Sequence, residues 1–368
     1  LMIGAGGTGG HVYPALAAAE VLRKSAETHN LVFVGTRGSG GFEKTLVDQS
    51  RIAFDQYEAV FAGPLNGVSP LRALNSLLKT ALGLVQSVGI VLRHRPQAIL
   101  LTGGWANVPV ALAAWIFRVP ILVYLPDIEP GRTIQVLSKF ARKVATTVPE
   151  SAQFFREGQT VTVGYPLREA ITSATYEAAI EHFRLDKARK TILVTGGSRG
   201  ARNINIALID IVPALVQNGI QIIHVTGELD WERSQQQAQS LQETAHYHAF
   251  PYLKSEEMGL AFAAADLIVG RSGASALGEF PYFGAASVLV PYPYAWRYQK
   301  TNADWLVEHG AGIRVDDESM SETLEPSIIR ILCDDALLNE YKANARSLHQ
   351  GSGAERLAQE LLILAGAK

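Results

Sequence analysis

A chain of 368 residues, 48% hydrophobic and 18% charged, has the composition of a globular α/β protein and the length for two cores rather than one. Its single cysteine, Cys333, excludes a disulfide framework and a cysteine-rich metal site. The net charge of −2 hides a balance of +5 over residues 1–160 and −7 over the rest, with no basic recognition helix or aromatic-basic interleaving that would suit nucleic acid.

Leu1 leads directly into strand-like sequence, so a few residues of the first strand are expected to precede it, and no basic-then-apolar leader comes before the first motif. Short apolar runs at 2–3, 31–34, 98–101, 121–124, 143–146 and 160–163 alternate with helical stretches. A second series follows at 191–194, 221–225, 246–249, 267–269, 287–290 and 312–314. This alternation predicts parallel sheets with crossover helices. The two series echo each other, each opening with a strand, a glycine-rich turn and a helix. The expected architecture is therefore α/β, with two Rossmann-like domains whose parallel sheets face across a cleft. The expected boundaries are 1–163, 164–350 and a C-terminal segment 351–368 that packs back on the first domain. The longest charge-free run, 96–117, is broken by Gly103, Gly104, Asn107 and Pro109 and makes a poor membrane span.

Between Glu58 and Asp127 there is no acidic residue, while Arg72, Lys79, Arg93, Arg95 and Arg118 are present with Leu65, Leu71, Leu74, Leu77, Leu78 and Leu82. A basic, leucine-rich helix of this kind suits an anionic membrane surface. The alternative is an ordinary amphipathic helix with its leucines in the core.

The first glycine-rich segment, Gly6-Gly7-Thr8-Gly9-Gly10-His11, brings backbone N–H groups to a helix start, a phosphate-compatible arrangement. It has neither the dinucleotide spacing nor the Gly-Lys-Ser/Thr ending of a P-loop. His11 is a candidate base for an acceptor hydroxyl, or else a residue that caps the turn. Gly196-Gly197-Ser198-Arg199-Gly200-Ala201 repeats the pattern, with Ser198 available to a phosphate oxygen. In the run from Arg271 through Ser272, Gly273, Ala274 and Ser275 to Glu279, small residues let a nucleotide approach and Glu279 stands one helical turn in, placed for ribose hydroxyls. Gln299 and Asn302 share a helix face where amides suit sugar hydroxyls.

Taken in order, the opening loop through Ala17, the segment Gly103-Gly104-Trp105-Ala106-Asn107-Val108-Pro109, the linker Gly164-Tyr165-Pro166-Leu167-Arg168, the Gly196 turn, Arg271 to Glu279 and Gln299 with Asn302 resemble the motifs of the MurG family of N-acetylglucosaminyltransferases over nearly the whole chain. The resemblance implies a GT-B fold and an inverting transfer without a required metal or cofactor. It implies UDP-N-acetylglucosamine as donor, surrounded by Arg168, Ser198, Phe250, Arg271, Ser275, Glu279, Gln299 and Asn302. It implies a polyprenyl-diphosphate-linked muramyl-pentapeptide as acceptor, the lipid I to lipid II step of peptidoglycan synthesis. Thr8, Gly9, Gly10, Trp105 and Asp127 would face that acceptor, His11 would be the catalytic residue, and the location would be peripheral on the cytoplasmic face of the membrane. The chain departs from the family at Tyr124-Leu125-Pro126-Asp127, where the pattern is His-Glu-Gln-Asn. That departure leaves open another lipid acceptor, with Asp127 contacting it or orienting His11. A non-catalytic UDP-sugar-binding subunit and a UDP-sugar epimerase of the same architecture compete with these two.

Overall fold

The computed structural model describes residues 1–7, 9–25, 29–38, 42–64, 69–197, 200–239, 245–294 and 298–366. Thr8, Leu65, Ser198 and Arg199 lie outside the described residues. The chain forms two compact units, Leu1–Arg168 with Gln350–Lys368, and Glu169–His349.

Unit 1 is built on seven parallel strands: β1 (Met2–Gly4), β2 (Val32–Thr36), β3 (Gln56–Val60), β4 (Ile99–Leu101), β5 (Ile121–Leu125), β6 (Lys143–Thr146) and β7 (Thr160–Thr162), in the order β3-β2-β1-β4-β5-β6-β7. Consecutive residues feed opposite faces. Ile3, Phe33, Leu100 and Leu122 pack one core with the helices Gly9–Lys24 and Gly353–Ala365. Met2, Val32, Ile99 and Ile121 pack the other, with the helices Pro70–His94 and Asn107–Ile116. Burial on both faces is why these strands read as unbroken apolar runs. The sequence reading overlooks β3, and the reason is its place: an edge strand, Gln-Tyr-Glu-Ala-Val, with only Val60 buried and so no apolar run to find.

Unit 2 repeats the plan with β8 (Lys190–Thr195), β9 (Ile220–Val225), β10 (Tyr247–Phe250), β11 (Leu267–Gly270), β12 (Ala286–Leu289) and β13 (Gly312–Arg314), all parallel in the order β10-β9-β8-β11-β12-β13. The expectation of two Rossmann-like parallel sheets holds. In both sheets the strand order reverses beside the first strand, between β1 and β4 and between β8 and β11. Open α/β sheets bind ligands beyond the carboxyl ends of the strands at such a switch point.

The helix Pro70–His94 is turned opposite to the usual amphipathic pattern. Small residues Ser76, Gly83 and Ser87, followed by Ile90 and Val91, face inward. A Cβ on Gly83 would stand 1.9 Å from the Phe61 carbonyl, so the approach requires glycine. Gln86 accepts the Phe61 N–H at 2.9 Å, and Glu58 on β3 holds both Arg93 and His94. Leu71, Leu74, Leu78, Leu82, Val85 and Leu92 face outward, from 52% exposed at Leu92 to 82% at Leu71. The alternative that these leucines fill the core is thereby set aside.

Candidate functional site

In unit 1 the loops after β1 and β4 meet at the switch point. Gly103 has φ +125° and Gly104 φ +91°. A Cβ on Gly103 would lie 2.5 Å from His11 Cδ2, and one on Gly104 would lie 2.6 Å from the Gly6 carbonyl. The imidazole thus lies directly against backbone, which only glycine permits. His11 is half-buried at the start of the helix Gly9–Lys24. Burial lowers its pKa, partly opposed by a hydrogen bond with the Gly6 backbone. The ring is therefore neutral at neutral pH, the form that accepts a proton.

Several residues to which the sequence reading gave no part in holding this loop do so. Glu43, buried at the start of the helix Phe42–Gln49, accepts the Gly7 N–H at 3.0 Å. Tyr13 packs beside Gly9 and carries the Arg168 guanidinium 4.1 Å above its ring. Thr102 and Asn107, both fully buried, bond the backbone of both loops. Short polar side chains that bond carbonyls leave no spacing signature, so the sequence does not show what they hold, even though Asn107 falls within the second glycine segment. Of the other expected residues, Gly9 is buried, Gly10, Trp105 and Asp127 are half-buried, and Trp105 packs against the core beneath the helix Asn107–Ile116.

The departures at 124 and 125 fall on core positions. Tyr124 and Leu125 are buried, and the Tyr124 hydroxyl lies 2.7 Å from Thr147 Oγ1, which donates to the Pro126 carbonyl at 2.8 Å. Burial, with the Asp127 charge adding to it, pushes the Tyr124 pKa well up and keeps the phenol neutral. The segment that departs from the family pattern is thus mostly interior packing, and Asp127 is its polar member with open surface.

In unit 2 the turns after β8 and β11 meet in the same way. Arg271 donates through Nη1 to the Val290 and Pro291 carbonyls at 3.1 and 3.2 Å and to Asp317 at 2.5 Å, and its guanidinium stands over Tyr292. Asp317 also accepts from Asn203 at 2.5 Å. These bonds tie the helix start after β8 to the loops after β11, β12 and β13. Ser272 donates to the Gln299 carbonyl, Gln299 Oε1 accepts the Tyr292 N–H, and Asn302 donates to the Ser272 carbonyl. Asn302 is wholly buried, which places it behind the turn rather than on the open helix face its spacing suggests. Ser275 and Glu279 keep open surface at the start of the helix Ala276–Phe283, and Phe250 ends β10 edge-on to Phe183.

Beneath the Gly200 turn, Asn205 donates to the Thr226 carbonyl and Asp230, both at 2.9 Å, which leaves its oxygen facing His224 Nε2 at 2.9 Å. His224 therefore carries its proton on Nε2, and Nδ1 accepts from the Tyr247 hydroxyl at 2.7 Å.

The chain matches the glycosyltransferase family 28 N-terminal domain over residues 1–146 and the glycosyltransferase family 28 C-terminal domain over 191–361. A UDP-N-acetylglucosamine–N-acetylmuramyl-(pentapeptide) pyrophosphoryl-undecaprenol N-acetylglucosamine transferase from Roseiflexus sp. is 35% identical over 96% of this chain and 92% of its own length. The protein of that name from Desulforudis audaxviator is 32% identical over 100% and 98%. Among solved structures, MurG of Acinetobacter baumannii superposes with a TM-score of 0.76 at 24% identity, over 98% and 99% of the two chains. S. aureus MnaA with UDP gives 0.70 at 14% identity, over 100% and 97%. The structural likenesses speak to the fold. Two domain matches in order, with relatives at a third identity along the full length, place the sequence: the chain belongs to glycosyltransferase family 28.

Proposed function

We propose that this enzyme moves N-acetylglucosamine from UDP-N-acetylglucosamine to N-acetylmuramyl-(pentapeptide) pyrophosphoryl-undecaprenol, with inversion at the anomeric carbon. The carrying observation is a chain matched end to end by transferases of that name that also has a neutral, half-buried histidine in a glycine-lined turn. His11 takes the proton of the acceptor hydroxyl as its oxygen bonds to the anomeric carbon, and the bond from that carbon to the UDP oxygen breaks. On unit 2, the N-terminus of the helix Arg202–Gln217 offers backbone N–H groups to the diphosphate. Ser198 supplies a further contact, Glu279 takes the ribose hydroxyls, Phe250 lies near the base, and Ser275 and Gln299 complete the donor set. Arg271 and Asn302 shape it from behind. Thr8, Gly9, Gly10, Trp105 and Asp127 face the acceptor.

A lipid-linked acceptor calls for a membrane surface, and the outward leucine stripe with Arg72 and Lys79 on the same helix supports peripheral docking on an anionic bilayer. The segment Leu71–His94 is long and apolar enough to span a bilayer, but its inner face is built into unit 1. That burial favours lying on the surface over crossing it.

The test is transfer of labelled sugar from UDP-N-acetylglucosamine to a short-chain version of this acceptor. His11→Ala is expected to lower kcat by about a hundredfold or more. The wild-type rate should fall with acidification only below the ordinary imidazole range, because the ring must be neutral and burial depresses its pKa. Unchanged turnover in His11→Ala would remove the base assignment. Donor binding without transfer would move the function to another acceptor.

A further inference from the structure

The buried residues Thr102 and Asn107 do more than fill the core. Thr102 Oγ1 donates to the His11 carbonyl at 2.6 Å, and the Thr102 N–H donates to the Gly4 carbonyl at 3.0 Å. Asn107 Nδ2 donates to that same Gly4 carbonyl at 3.0 Å and to the Gly103 carbonyl at 2.5 Å. Two side chains thus grip three carbonyls: the end of β1, the residue that bears the imidazole, and the glycine on which the imidazole rests. The orientation of the Asn107 amide is unambiguous, because a flip would set its oxygen against two carbonyl oxygens. In that orientation Asn107 Oδ1 is buried with no hydrogen-bond partner among the described residues, facing the α-carbon of Gly4. An orphaned buried acceptor costs about 1–3 kcal/mol, so the arrangement is not the one that stability alone selects.

We propose that Thr102 and Asn107 are positioning residues that act through His11, fixing the two glycine loops so that the imidazole stays where it meets the acceptor hydroxyl. This rests on the reading of His11 as the base. The helix Gly9–Lys24 has no acidic residue in its first turn, and Pro14 contributes no N–H to it. The Thr102 hydroxyl ties the turn that carries His11 to the loop after β4. A displacement of about 1 Å at a reacting group costs on the order of a hundredfold in rate, so a small slackening here is amplified in kcat.

The experiment is a double-mutant cycle in the full chain with His11→Ala, Thr102→Val, Thr102→Ser and the combined His11→Ala/Thr102→Val, reading kcat, donor KM and melting temperature. Valine keeps the shape and removes the hydroxyl; serine restores it. The expected result for Thr102→Val is a fall in kcat of about tenfold to a hundredfold. Donor KM should change by less than about twofold, since ground-state donor contacts are untouched. Thr102→Ser should recover most of the rate. In the His11→Ala background the valine change should cost almost nothing further, because the group it positions is gone. An equal loss in both backgrounds would overturn the proposal and leave the base assignment standing. Full turnover in His11→Ala alone would instead overturn the base assignment and the positioning role with it. Asn107→Ala is the second variant: a shifted acid limb in its pH–rate profile supports the proposal, and an unshifted profile at unchanged kcat opposes it.

Discussion

Each unit holds a histidine beside its strand ends, and the two differ in how far they are enclosed. His11 lies at a loop mouth with part of its surface open; His224 is wholly enclosed, and burial holds its pKa down at about 3. In an unfolded chain the same group titrates near 6.5. The unfolded state binds the extra proton first, so the contribution of His224 to stability is complete above about pH 6.5 and is lost as pH falls towards 3. Across that window the loss is about 1.4 kcal/mol per pH unit. Replacing His224 with glutamine removes the titration. Between pH 6.5 and pH 5 the unfolding free energy of the wild type should therefore drop by about 2 kcal/mol more than that of His224→Gln. Urea denaturation at the two pH values checks this, and parallel pH dependence in both proteins would refute it.

At the scale of elements, the helix Pro70–His94 turns a packing face inward and an apolar face outward in one segment. Its small inner residues set how closely it approaches Phe61, and its outer leucines contribute nothing to the core they face away from. Leu74→Asp with Leu78→Asp should leave the melting temperature nearly unchanged, since both positions are more than half exposed. The same pair should weaken sedimentation with anionic phospholipid vesicles by about tenfold or more, because each change removes apolar insertion and adds repulsion. Transfer to a short-chain, water-soluble acceptor should persist. Undiminished vesicle binding by the double variant would rule out this face as the docking surface.

This helix also shows how much is readable beforehand. Its leucines and missing acids are plain in the sequence, but their direction is not. Periodicity identifies an apolar stripe without saying whether protein or solvent covers it. The strands buried on both faces are legible as apolar runs, whereas β3 is lost because an edge strand carries polar residues. At the site, His11 and the glycine turns stand out by composition, while Thr102, Glu43 and Asp317, and the bonds that Asn107 makes, do not. Their work is done on backbone carbonyls, N–H groups and a buried guanidinium contributed by distant parts of the chain.

At the scale of the molecule, the chain leaves unit 1 at residue 168 and returns to it at 350. The returning helix Gly353–Ala365 buries Leu357, Ala358 and Leu361 in the core beside the helix Gly9–Lys24, and Glu360 pairs with Lys143 on β6 at 3.0 Å. Unit 1 is therefore incomplete until the last residues are in place, whereas unit 2 is continuous in sequence. Leu361 is fully buried, so Leu361→Ala should cost about 2–5 kcal/mol, and the loss should fall on unit 1 alone. Hydrogen exchange resolved by peptide mass spectrometry reads this directly. Amides of β1, of the helix Gly9–Lys24 and of the C-terminal helix should exchange faster in the variant, with β8, β9 and β11 unchanged. Since His11 stands on the helix that Leu361 supports, the same variant should lower kcat more than it alters affinity for UDP-N-acetylglucosamine. Equal acceleration of exchange in both units would mean that the two cores unfold together, and that the C-terminal helix secures the whole chain rather than the half that carries His11.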